Sequence, residues 1–216
     1  MWWFKFTNEN FWLSGKDLTV ILISYVLGCF TTGYYLVRFR TGEDIRTQGS
    51  GNVGARNVGR VMGPLGFLIT LVFDVAKGAL AVQIAVHFGL GPGGTVIAVL
   101  AVVAGHIWPV QLRFHGGKGI GPSLGALLVY DWYLVVMMAT VFLVALGSWR
   151  RFTLSGLVAF ALAPLLLFAG DPGMTKVVGI SVLAILILIA HRKNIREEFE
   201  RNLLGSQVKE KQSHPH

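Results

Sequence analysis

Seven apolar runs occupy most of the chain, at about residues 18–38, 64–88, 93–111, 119–130, 132–148, 154–170 and 174–191. Most reach the ~17 to 25 residues that an α-helix needs to cross a hydrocarbon core. Backbone groups inside a bilayer must satisfy one another, which leaves the helix as the structure such runs can adopt. Composition agrees, because 53% of the residues are hydrophobic and 14% charged, too little polarity to clothe a soluble domain. The expectation is an all-α integral membrane protein with seven transmembrane helices and glycine-rich cytoplasmic loops that partly re-enter the bilayer. The fourth run, only twelve residues before Asp131, is read as a short crossing or as a continuation of the preceding loop.

Charge supports the odd number of crossings. With seven, Arg38, Arg40, Arg46, Arg56, Arg60, Arg113, Lys118, Arg150, Arg151, Arg192, Lys193, Arg196, Arg201, Lys209 and Lys211 share one face. Lys5, Lys16 and Lys176 fall opposite, and Lys77 lies within a run. The positive-inside rule makes the rich face cytoplasmic, with the amino terminus outside and the carboxyl terminus inside. Omitting the fourth crossing would move Arg150, Arg151 and the tail to the other side. Because topology accounts for the surplus of cations, nucleic acid is not an expected partner. Residues 1–17 mix Trp2, Trp3, Phe4, Phe6, Phe11 and Trp12 with polar residues and read as an interfacial segment rather than a signal peptide. One transmembrane domain at 18–204 and a flexible cytoplasmic tail at 205–216 follow. Cys29 is the single cysteine, so neither an intrachain disulfide nor a cysteine metal site is available. The six histidines are scattered, and no metal or cofactor is expected.

Three polar clusters lie on the cytoplasmic face. The first is Gly49-Ser50-Gly51-Asn52-Val53-Gly54-Ala55-Arg56-Asn57 with Arg60, where glycines let backbone amides turn toward one point and Ser, Asn and Arg add donors. Such a composition suits a phosphate. The second is Gly105-His106 with Gly116-Gly117-Lys118-Gly119, a flexible backbone around one ammonium that lacks the spacing of a nucleotide-binding P-loop. The third is His191-Arg192-Lys193-Asn194, in which the three-residue spacing sets His191 and Asn194 on one helix face. Asp74 and Lys77 share that spacing inside the second run and read as an ion pair facing the bundle interior. Charges at that depth also admit a rival reading, a transporter or channel for an anionic solute.

These motifs, in this order and together with Asp74-x-x-Lys77-Gly78, Pro109-Val110 and His191-Arg192-x-Asn194-Ile195, resemble those of the bacterial acyl-phosphate-dependent glycerol-3-phosphate acyltransferases over about residues 18–204. The resemblance implies a seven-span inner-membrane enzyme. It would move a fatty acyl group from acyl-phosphate to the 1-hydroxyl of glycerol 3-phosphate, giving lysophosphatidic acid and phosphate. It also implies enzymes that make the acyl-phosphate and acylate the product as neighbours in phospholipid synthesis. Positions matching Ser50, Arg60, Lys118, His191 and Asn194 would hold the phosphate of glycerol 3-phosphate. Gly49, Gly51, Asn52, Gly54 and Asn57 would receive the donor, with His106, Gly116, Gly117, Gly119 and Thr153 or Ser155 completing the substrate contacts.

The chain departs from the family pattern at Thr47-Gln48, at Ile120-Gly121-Pro122-Ser123, and at Arg151-Phe152-Thr153-Leu154-Ser155, where the expected serine is displaced by one. Those changes touch the acceptor pocket and admit a relative that binds acyl-phosphate without transferring it.

Overall fold

The computed structural model describes residues 14–170 and 173–200, and every regular element among them is helical. The aromatic amino-terminal stretch and the tail at 205–216 lie outside the described residues. The first apolar run forms two helices, α1 (Gly15–Cys29) and α2 (Thr32–Thr41). Ser14 and Asp17 start α1 with a capping box, the Asp17 carboxylate accepting the Ser14 amide at 2.8 Å. Gly42, at φ 74°, ends α2 in the left-handed conformation that glycine adopts without a Cβ penalty.

The break between α1 and α2 leaves carbonyls without helical partners inside an apolar bundle, where they would be costly. Distant side chains take them: Lys77 donates to the carbonyls of Gly28 and Phe30 at 3.2 and 2.8 Å, and Gln111 donates to that of Cys29. The break in the first span is thus held by the second and third.

α3 (Ala55–His87) is also interrupted. Gly63 sits at φ 78° before Pro64, so a short helix carrying Arg56, Asn57 and Arg60 precedes the long one. The sequence places the start of the second span at residue 64, and it treats as loop a segment that is in fact this leading helix. α4 (Pro92–Ile107) begins with proline in its first turn, where the missing N–H has no helical acceptor to lose. α5 (Ile120–Tyr130), α6 (Trp132–Trp149), α7 (Phe152–Leu166) and α8 (Met174–Ala190) follow, and α9 (Arg192–Glu200) leaves α8 at 58°.

Four segments are long and apolar enough to cross a membrane, and α8 with α9 makes a fifth. α5 and α7 have 11 and 15 residues, so α5 extends only about 16 Å against a hydrocarbon core of about 30 Å.

Small residues set the closest helix pairs. A Cβ on Gly105 would strike the carbonyl of Tyr25, and one on Gly28 would strike that of Val102, which fixes the α1–α4 crossing. α3 and α5 meet in the same way, Gly125 against the Val75 carbonyl and Gly78 against that of Pro122. Around these contacts Val82, Val102, Val103, Leu127, Leu183 and Ile187 are fully buried. α6 instead turns Leu143 and Val144 outward, 63% and 66% exposed, a surface suited to lipid.

Candidate active site

The first glycine loop is built around Asn57. This side chain is 1% exposed, accepts the Ser50 amide at 2.8 Å and donates to the Gln48 carbonyl at 2.9 Å, so it staples the loop to the first turn of α3. Gly49 (φ 56°) and Gly51 (φ 72°) supply the left-handed turns, and a Cβ on Gly49 would collide with the Asn57 carboxamide. Asn52 accepts the Gly54 amide at 3.1 Å in a local turn. Gly54 caps α3 with no side chain, which leaves first-turn amides for another acceptor. Asn57 therefore shapes the loop from beneath, where the sequence reading has it touching substrate.

A further strap joins this loop to the second. Arg46 holds Asp44 through its guanidinium at 2.6 Å, donates to the Leu112 carbonyl at 3.0 Å and lies over the Tyr34 ring. Asp44 caps the short helix Ile45–Thr47 that leads into Gly49.

In the second loop the Gly116 and Gly117 amides donate to the Ile107 and His106 carbonyls at 3.1 and 2.9 Å, folding the chain back on the end of α4. Gly119, at φ 83°, then starts α5. Lys118 lies between them, half-buried, with its ammonium on the Asn194 carboxamide. Asn194 belongs to α9 and His191 to the α8–α9 bend, so two elements widely separated in sequence meet here. His191 is 4% exposed, and its Nδ1 donates to the Ile187 carbonyl at 2.8 Å. That contact fixes the tautomer and leaves Nε2 for a proton or a phosphate oxygen.

The site is cationic. Burial lowers the pKa of Lys118 from its ordinary 10.5; nearby Glu197 opposes this, while Arg56, Lys193 and Arg60 add to it. Burial also lowers that of His191, with Lys118 and Arg56 contributing and the Ile187 carbonyl opposing. Cations close enough to lower one another's pKa are what an anionic ligand would relieve.

Arg56, four residues before Arg60 on one helix face, is a member of this cluster that the sequence reading places in the first glycine-rich stretch without giving it a substrate contact; the i,i+4 spacing is the signal for one. Its guanidinium bonds the Thr153 hydroxyl and stacks on Phe152, tying α3 to the start of α7. Arg151 pairs with Glu198 of α9 nearby. Arg60 is exposed and makes no hydrogen bond or ion pair among the described residues.

Two further residues expected at the substrate are engaged with protein atoms. Ser155 is fully buried and donates to the Arg151 carbonyl of its own helix at 3.0 Å, so of the two hydroxyls offered by the shifted motif it is Thr153 that meets the cationic cluster. His106, 2% exposed, has its Nδ1 on Lys77 at 2.8 Å and its other edge against Gly117. Its ring and carbonyl both meet Gly117, so what the structure shows for it is support of the loop. The Asp74–Lys77 pair expected from sequence is present at 2.9 Å. Its polar groups close on protein atoms, which removes the observation that motivated an anion path. Pro122 falls in the first turn of α5, where a backbone N–H would lack a helical acceptor in any case.

A family model described as glycerol-3-phosphate acyltransferase matches residues 18–201. The glycerol-3-phosphate acyltransferase 1 of Desulfitobacterium hafniense (strain Y51) is 50% identical over 186 residues, covering 86% of this chain and 92% of that protein. The glycerol-3-phosphate acyltransferase of a Synechococcus strain is 37% identical, covering 88% and 92%. Among solved structures, PlsY, an integral membrane glycerol 3-phosphate acyltransferase crystallised in its glycerol 3-phosphate form, superposes with a TM-score of 0.80 at 31% identity, over 86% of this chain and 93% of that one.

Proposed function

The chain belongs to the glycerol-3-phosphate acyltransferase family, and on that premise we propose that it transfers a fatty acyl group from acyl-phosphate to the 1-hydroxyl of glycerol 3-phosphate, giving lysophosphatidic acid and inorganic phosphate. The observation that carries this reading is the convergence of Lys118, His191 and Asn194 with Arg56 and Arg60, contributed by three distant stretches of an apolar chain. Two phosphate-bearing substrates meeting at a membrane surface require such an arrangement.

Lys118, Arg60, His191 Nε2, Asn194 and the Ser50 hydroxyl hold the phosphate of glycerol 3-phosphate. The Gly49–Gly54 loop, with the uncapped amides of α3 behind it, cradles the phosphate of the donor. Acyl-phosphate is a mixed anhydride with a good leaving group, so the site needs no covalent nucleophile. The 1-hydroxyl oxygen attacks the acyl carbon, the bond from that carbon to the phosphate oxygen breaks, and the hydroxyl proton passes to a phosphate oxygen of a substrate. Alignment of the two substrates and amide donors near the carbonyl oxygen supply the acceleration. His191 acts as a phosphate ligand, because a bound dianion counters the cations that lower its pKa and favours the protonated ring. Counting the shorter α5 and α7 as crossings beside the five longer segments gives seven, which with the amino terminus outside a bacterial inner membrane sets the site beside the cytoplasmic enzymes that make acyl-phosphate and acylate the product.

Purified protein given palmitoyl-phosphate and radiolabelled glycerol 3-phosphate should yield labelled lysophosphatidic acid, and Lys118→Ala should abolish it. Product from palmitoyl-coenzyme A but not from palmitoyl-phosphate would overturn the donor. Absence of product with either donor would leave a binding-only relative.

A further inference from the structure

Asp74, Lys77 and His106 form a polar cluster that the proposed chemistry does not use, buried to 4%, 7% and 2% exposure. Lys77 Nζ stands 2.9 Å from an Asp74 carboxylate oxygen and 2.8 Å from His106 Nδ1. It also holds the carbonyls of Phe30 and Gly28, while the Thr32 hydroxyl donates to Asp74 at 3.4 Å. An ammonium has donors only, so His106 Nδ1 accepts and its ring proton resides on Nε2, the edge that abuts Gly117.

The cluster touches the chain on both sides of Lys118, in the second glycine loop before it and in the first turn of α5 after it. Before it, the His106 ring abuts Gly117, leaving no room for a Cβ there, and the His106 carbonyl takes the Gly117 amide. After it, Gly121 lies against Asp74, where a Cβ would come within 2.9 Å of the aspartate Cβ. Apolar side chains of equal volume would fill this space with less desolvation cost, but they would give the loop no directional anchor.

We propose that Asp74, Lys77 and His106 are positioning residues for Lys118: a charged anchor within the helix bundle that fixes the second glycine loop so that the ammonium meets the acceptor phosphate. The inference rests on Lys118 as a ligand of glycerol 3-phosphate. It assigns the intramembrane charges a role in acceptor binding beyond holding helices together.

The test compares full-length wild type with Lys77→Met, and separately Gly117→Ala alone and in a His106→Ala background. In Lys77→Met, amide hydrogen exchange at Gly116 and Gly117 should accelerate about tenfold or more while the α6 and α7 amides hold their rates. The KM for glycerol 3-phosphate should rise by a similar factor with that for palmitoyl-phosphate within about twofold, since a displacement near 1 Å costs up to about a hundredfold. Gly117→Ala should be severe alone and milder once the His106 ring is gone. Unchanged exchange at Gly116 and Gly117, equal rises in both KM values, or the same cost of Gly117→Ala in both backgrounds would overturn the proposal. If Lys77→Met does not fold, the Gly117 and His106 pair decides by itself. Loop exchange is read without substrate, so a wild type inactive with palmitoyl-phosphate refutes the functional reading while leaving the anchoring of the loop separately measured.

Discussion

Replacing Asn57 by alanine tests how the first glycine loop is made. The side chain is 1% exposed and takes two loop partners, the Ser50 amide at 2.8 Å and the Gln48 carbonyl at 2.9 Å, with the Ile45 carbonyl at 3.5 Å as a weaker third. Alanine removes both good hydrogen bonds and strands the Ser50 amide, while the Gln48 carbonyl keeps the Gly51 amide at 2.9 Å. Leaving a buried polar group unpaired costs about 1 to 3 kcal/mol and an ordinary hydrogen bond nets about 1 kcal/mol, and Ser50 is exposed enough to recover part of this from water, so the loss is about 1.5 to 3 kcal/mol of loop order. Since each ~1.4 kcal/mol is a factor of ten and donor affinity scales with the fraction of ordered loop, the KM for palmitoyl-phosphate should rise at least about tenfold. The KM for glycerol 3-phosphate should rise less, because among its ligands Ser50 hangs on this staple while Lys118, His191 and Asn194 do not.

Asn57→Asp, which keeps the acceptor but turns a carboxylate on the Gln48 carbonyl, should act in the same direction. Steady-state kinetics with each substrate varied at saturating levels of the other provide the measurement. A donor KM within about twofold of wild type in both variants would refute the reasoning that Asn57 organises the donor loop.

Arg60→Ala should weaken glycerol 3-phosphate much more than palmitoyl-phosphate, and equal effects on the two apparent affinities would contradict the division of labour between the clusters. The lowered pKa of Lys118 means that its charge, and with it acceptor affinity, is lost as pH rises at a lower pH than for an ordinary lysine. Arg56→Gln removes a like charge and should move that alkaline limb of the glycerol 3-phosphate KM to higher pH. For His191 the folded pKa lies below the usual 6.5, so near that pH the unfolded chain binds more protons and stability falls on acidification. His191→Gln should flatten the dependence of melting temperature on pH between about 5 and 7. Gly105→Ala, whose Cβ would strike the Tyr25 carbonyl, should cost at least about 1 to 3 kcal/mol in stability, whereas Gly147→Ala, with open space around it, should be neutral or slightly stabilising. Equal melting temperatures for the two would dispute the close α1–α4 approach.

Hydrophobic runs and glycine spacing made the helices and the loops between them legible from the sequence, because both are local properties: a long apolar stretch can only be helical in lipid, and glycine is the residue favoured where φ is positive, as at Gly49, Gly51 and Gly119. The Asp74–Lys77 pair was readable for the same reason, a three-residue spacing along one helix. What the Asn57 carboxamide holds was not, since its partners at Ser50 and Gln48 depend on how the loop doubles back. Nor was the exchange of roles between Thr153 and Ser155, because a residue's azimuth on α7 acquires meaning only once α3 brings Arg56 alongside. His106 offered the same motif whether it faced solvent or Lys77, and only the packing of α3 against α4 turned it inward. Identity and spacing along the chain set which groups were available; which of them meet an anion and which hold up those that do was decided by close helix crossings that no local pattern records.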